Sequence, residues 1–138
     1  MIFCLTLPGM DAASAFEASF MMQSCTTKHA KIMKADELII DKIKDIARST
    51  VPDGSEAILY GSRARGDARS DSDWDILILL NKDRLTQNDY DNVSYPFVML
   101  GCNLGAEINP ILYTKKEWET YQFTPFYENV NRDGIILA

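Results

Sequence analysis

Histidine and cysteine are scarce in this chain of 138 residues. There is one histidine, and the three cysteines, Cys4, Cys25 and Cys102, are widely spaced with no Cys-x-x-Cys. That supply excludes a zinc site of the usual ligand spacing and a disulfide framework, and it fits a reducing cytoplasm. An excess of positive charge is also missing. Fourteen basic against twenty acidic residues leave a net charge of −6. A broad nucleic-acid footprint, which needs a basic face, is therefore not expected. No apolar run is long enough to span a membrane. The opening Met1-Ile2-Phe3-Cys4-Leu5-Thr6-Leu7 has no basic segment before it, and Asp11 interrupts it, so it is not read as a signal peptide. Internal repeats and low-complexity linkers are absent too. The length suits one domain with a modest core.

What the chain does have is concentrated between residues 57 and 80. Ala57-Ile58-Leu59-Tyr60 is a short apolar run that predicts a buried strand ending at Gly61. A loop of glycine, arginine, aspartate and serine follows. Asp73 and Asp75 then open a second apolar run, Ile76-Leu77-Ile78-Leu79-Leu80. Alternation along a strand puts both aspartates on one side, with Cα atoms about 6.6 Å apart at a rise of ~3.3 Å per residue. Two carboxylates so spaced can share divalent cations, and hard oxygen ligands on a rigid element suit Mg²⁺. Gly61 allows backbone to approach a ligand closely. The N–H groups of a strand-to-helix turn at Gly61 and Ser62 favour phosphate. Arg63 and Arg65 add charge-assisted bonds to phosphate oxygens. The stretch thus combines a phosphate cradle with a pair of metal ligands.

A solvated turn accounts for Asp67, Ser70, Asp71 and Ser72, because Asp and Ser bond their own backbone in turns. It does not account for Asp75, which stands inside the apolar run where an unpaired carboxylate is costly. Asp71-Ser72-Asp73-Trp74-Asp75 has the alternation of a calcium loop. Ile76 stands where glycine is required, however, and Lys82 where the closing acid belongs, so an EF-hand is excluded. No Gly-Lys-Ser/Thr follows the glycines, which excludes a P-loop.

Gly61-Ser62, ten intervening residues and Asp73-x-Asp75 resemble the Gly-Ser…Asp-x-Asp motif of the polymerase-beta nucleotidyltransferase superfamily. The fuller string, Gly-Ser-Arg-Ala-Arg-Gly-Asp…Ser-Asp-Ser-Asp-Trp-Asp, is similar to the minimal nucleotidyltransferases of bacteria and archaea. These are small single domains, often encoded beside a HEPN-domain partner as a toxin–antitoxin pair. Trp74 departs from the family, which more often has a small aliphatic residue there. It should point away from the metals and affect packing. The resemblance implies an α/β (α+β) fold, a mixed sheet flanked by helices. It implies transfer of a nucleoside monophosphate, AMP from ATP, to an acceptor hydroxyl. Asp73 and Asp75 would hold two Mg²⁺ ions, Gly61 and Ser62 the triphosphate, and Arg63 and Arg65 would neutralise its charge. A third carboxylate is implied on the strand beside the Asp-x-Asp strand, and Glu107 is the best-placed candidate as metal ligand or base. A charge that guards an edge strand is the plainer account of Glu107.

The implied acceptor is a partner protein, a HEPN ribonuclease silenced by AMPylation of a tyrosine. The chain has no Arg-x4-6-His ribonuclease motif, so it would be the antidote member. A small-molecule acceptor of the aminoglycoside type is the rival, and a non-catalytic module that blocks a partner by occupancy is the alternative of a different class.

Around the motif, residues 33–138 follow the pattern of such a domain, and residues 1–32 read as an extension. A short helix over 12–23 is expected within that extension, with Asp11 as cap, and Met33 is a candidate natural start. Asp36 is expected to cap a helix to about residue 49, carried by Ile39, Ile43, Ile46 and Ala47. The segment 86–104 predicts a helix broken at Pro96. Residues 105–113 predict a third strand, which Pro110 either puts at an edge or ends as regular pairing. Helices are expected from Lys115, with Trp118 against the sheet, and from Pro125, capped by Thr124. Ile135-Ile136-Leu137 forms an apolar tail.

Overall fold

Four strands form one sheet in the order β3-β2-β1-β4. The computed structural model describes residue 31 and residues 33–138. Contacts divide the chain into two units, Met1–Glu37 and Leu38–Ala138. Of the first, the described residues are helical. The helix expected over 12–23, and all of the 1–32 extension except Lys31, lie outside the described residues.

A helix covers residues 33–50 (α1). Asp36 therefore stands within the helix and does not open it. Then come β1 (Glu56–Tyr60), a one-turn helix α2 (Ser62–Arg65) and β2 (Trp74–Leu80). Next are α3 (Gln87–Asp89), a π-helical turn over Tyr90–Ser94, and α4 (Tyr95–Leu104). The chain closes with β3 (Ile108–Thr114), α5 (Lys115–Glu119), α6 (Pro125–Asp133) and β4 (Ile135–Ile136). This is the mixed, helix-flanked sheet that the sequence predicts.

β1 pairs antiparallel with both β2 and β4, and β2 pairs parallel with β3. β2 is therefore central, and the run of isoleucine and leucine exists because both of its faces are covered. On one face Trp74, Ile76, Ile78 and Leu80 pack with Ile43 and Ala47 of α1 and Phe97 of α4. On the other, Leu77 and Leu79 meet Trp118 of α5 and Val130 of α6, bordered by Tyr60, Tyr113, Tyr121, Phe126 and Tyr127. Trp118 is the hub of this second layer, with its ring centroid 5.2 Å from Phe126 and 5.1 Å from Tyr127.

Proline sets two irregularities. Pro96 has no N–H for the α-helical ladder, and the chain answers with the π turn just ahead of it, where the Tyr95 N–H donates to the Tyr90 carbonyl. In β3, Pro110 pairs with Ile76. The Trp74 N–H donates to the Glu107 carbonyl at 2.8 Å, and in a parallel ladder this makes Glu107, Asn109 and Ile111 the residues that bond β2. Pro110 then presents its missing donor to the open edge, where nothing is lost. The apolar tail does not hang free. Ile135 and Ile136 pair with β1, and Leu137 is buried on the α1/α4 face.

Candidate active site

The two aspartates of the Asp-x-Asp motif stand where β2 begins, on the face that carries the α5/α6 aromatic layer. Asp75 lies opposite Tyr60 of β1 and opposite Asn109 of β3. Asp73 immediately precedes β2, and its Oδ2 accepts a hydrogen bond of 3.3 Å from Asn109 Nδ2. Both carboxylates are partly buried.

The electrostatics follow from this crowding. The Asp75 carboxyl is held above the usual carboxylate range, first by burial and second by the charge of Asp73, with the Asn109 amide working against both. The Tyr60 hydroxyl is pushed up to about 12 by burial, then by Asp75 and Tyr113. Tyr60 also meets Phe126 edge to face at 5.4 Å. It is a neutral wall of the site, joined to the core.

Gly61 makes the turn out of β1 at φ 77°, in the left-handed region. A first side-chain carbon there would come within 2.7 Å of Asp75 Oδ2. The left-handed backbone at this close approach is what asks for glycine. α2 follows, with no side-chain cap at its start. The Gly61 carbonyl accepts from the N–H groups of Ala64 and Arg65, and Gly66 closes the turn in the left-handed conformation.

The arginines divide. Arg63 turns back on its own loop, with Nε and Nη2 donating to the Ser72 carbonyl at 3.2 and 3.0 Å and Nη2 to Ser70 at 3.3 Å. Its guanidinium lies 4.5 Å from the centroid of the Trp74 ring. Trp74 is thus the floor on which Arg63 braces the segment leading into Asp73, and it lies on the face away from the aspartates. Arg65 is exposed and bonds Asp67 at 3.3 Å.

Glu107 is exposed and stands one residue ahead of β3. Among the described residues no three His, Cys, Asp or Glu side chains gather in one group. Glu107 is accordingly not brought together with Asp73 and Asp75. The β3 side chain at the site is Asn109, which the sequence reading passed over. The available signal was its alternation with Glu107, which puts both on one face.

The donor set fits a hard divalent cation. Two partly buried carboxylates that repel each other, beside a neutral amide, gain from one, and oxygen ligands suit Mg²⁺.

A family model described as a nucleotidyltransferase domain matches residues 40–128. The chain belongs to this family. The matched span runs from α1 into α6 and includes Gly61, Ser62, Asp73, Asp75 and Asn109. No curated protein matches the chain. Among solved structures, a toxin–antitoxin with AMP-PNP is 21% identical over 72% of each chain, with a TM-score of 0.51. That likeness is one of fold. A tri-AMPylated HEPN toxin in complex with an MNT antitoxin from Shewanella oneidensis is 19% identical over 75% of this chain and 71% of that one, with a TM-score of 0.47. No described helix is long and apolar enough to cross a membrane.

Proposed function

We propose that this nucleotidyltransferase domain transfers AMP from ATP, with Mg²⁺, to a hydroxyl of a partner protein, and that the acceptor is a tyrosine of a HEPN-type toxin. The observation that carries the reading is that Asp73 and Asp75 stand together at one end of the sheet, beside a turn at Gly61 whose left-handed backbone favours glycine. The toxin–antitoxin with AMP-PNP supports the choice of an adenine nucleotide and of a protein partner.

In the reaction the acceptor oxygen attacks the α-phosphorus of ATP. The bond from that phosphorus to the bridging oxygen of the β-phosphate breaks, pyrophosphate leaves, and the hydroxyl proton passes to solvent water. Asp73 and Asp75 are the ligands for Mg²⁺, which when bound lowers the charge on the reacting phosphate. Gly61 and Ser62 seat the triphosphate against backbone. Arg65, on the exposed side of α2, neutralises phosphate charge. Arg63 contributes by fixing the loop that delivers Asp73. Tyr60 keeps water from the inner side of the carboxylates.

Host lysate given ATP labelled at the α-phosphate should show a labelled protein band with the wild-type chain. An Asp73→Asn/Asp75→Asn double variant should lose that band by orders of magnitude. Partner capture by both forms without label would instead assign a module that works by occupancy.

A further inference from the structure

We propose that Asn109 is the third member of the cation site, an uncharged ligand. The free protein then carries two negative charges for a divalent cation and not three. This rests on the reading of Asp73 and Asp75 as cation ligands.

Register and hydrogen bonding both place Asn109 at the site. It lies opposite Asp75 in the parallel ladder, and its Nδ2 donates to Asp73 Oδ2 at 3.3 Å. A side chain that touches one carboxylate and faces the other is where a third ligand from β3 belongs. Glu107, two residues earlier, is exposed, and its backbone carbonyl is committed to Trp74.

The chemistry of the amide gives the substitution a meaning. Asparagine offers two N–H donors and an acceptor oxygen. Its donors relieve two crowded carboxylates without adding charge, and its oxygen remains a ligand of the hard type that Mg²⁺ accepts. Two carboxylates balance one divalent cation. Compensation for a second must come from the phosphates of the nucleotide, so cation loading beyond one is coupled to nucleotide binding.

The test is Mn²⁺ binding to the full chain without nucleotide, followed by the paramagnetic resonance of free Mn²⁺. Wild type is compared with Asn109→Asp, Asn109→Ala, Glu107→Gln and Asp73→Asn/Asp75→Asn, each checked for its melting transition by circular dichroism. Asn109→Asp is expected to tighten Mn²⁺ by at least about tenfold, because a third charge is added within contact distance. Asn109→Ala is expected to weaken it and Glu107→Gln to leave it unchanged. If Asn109→Ala does not fold, Asn109→Asp and Glu107→Gln decide the matter. Unchanged affinity in Asn109→Asp, or weakened binding in Glu107→Gln, overturns the proposal. Undiminished binding in the double aspartate variant overturns the cation site itself, which is a different failure.

Discussion

Asp75 carries a tension that a cation would relieve. Its folded carboxyl titrates above the unfolded value, because burial and the Asp73 charge both oppose ionisation. The sign follows from linkage: stability falls as pH rises from the unfolded value through the folded one, and the unfavourable contribution is complete above the folded value. Asp75→Asn should therefore raise the melting temperature of the chelator-treated protein at pH 7 while nucleotide transfer collapses. A lower melting temperature would show that the two carboxylates do not strain the free site. The aspartates were legible in the sequence because a charged pair interrupts an otherwise apolar strand. Asn109 was not. Glu107 and Asn109 share a strand face, and which of them meets Asp75 depends on the register between two strands separated by more than twenty residues. The role of Arg63 was hidden for a related reason: its stacking on Trp74 needs the loop to fold back on itself.

At the scale of elements, the segment between β2 and β3 is held by one carboxylate. Asp89 is buried and accepts from Lys82 Nζ at 2.8 and 2.7 Å, from the Thr86 N–H at 2.7 Å and from the Thr86 hydroxyl at 2.9 Å. Lys82 above all, with Thr86, holds its carboxyl below the ordinary range against the cost of burial. A lowered carboxyl contributes stability that is complete above the unfolded value near about pH 4 and is lost as pH falls through the folded value. Asp89→Asn should cost about 1–2 kcal/mol at pH 7, a figure kept low because the Lys82 ammonium is partly exposed. Urea denaturation of the two forms should show the gap closing below about pH 4, and a gap independent of pH would contradict this account. Proline announced the break at Pro96. It did not announce a π turn, because the missing N–H says where a helix must change and not how the preceding turn absorbs it. The ends of α5 and α6 were readable, since Thr114 and Thr124 each accept from a backbone N–H in the first turn, Glu117 and Tyr127 respectively.

At the scale of the described domain, the apolar pattern of β2 underlies the layered α/β arrangement. β2 is apolar on both faces, so helices must cover it twice. Strands β1 and β3 flank it in opposite senses, and this brings Gly61, Asp73, Asp75 and Asn109 to one end of the sheet. The distance between motif and function is bridged by that topology: the dipeptide and the two aspartates, ten residues apart in sequence, become one site because a single hairpin folds them together. The central claim is that this site transfers the nucleotidyl group and not the terminal phosphate. The most direct measurement gives host lysate and the wild-type chain ATP labelled at either the α- or the γ-phosphate. The account predicts that α-label enters an acceptor protein while γ-label is recovered as pyrophosphate. Entry of γ-label into the acceptor, or of neither label, would contradict it.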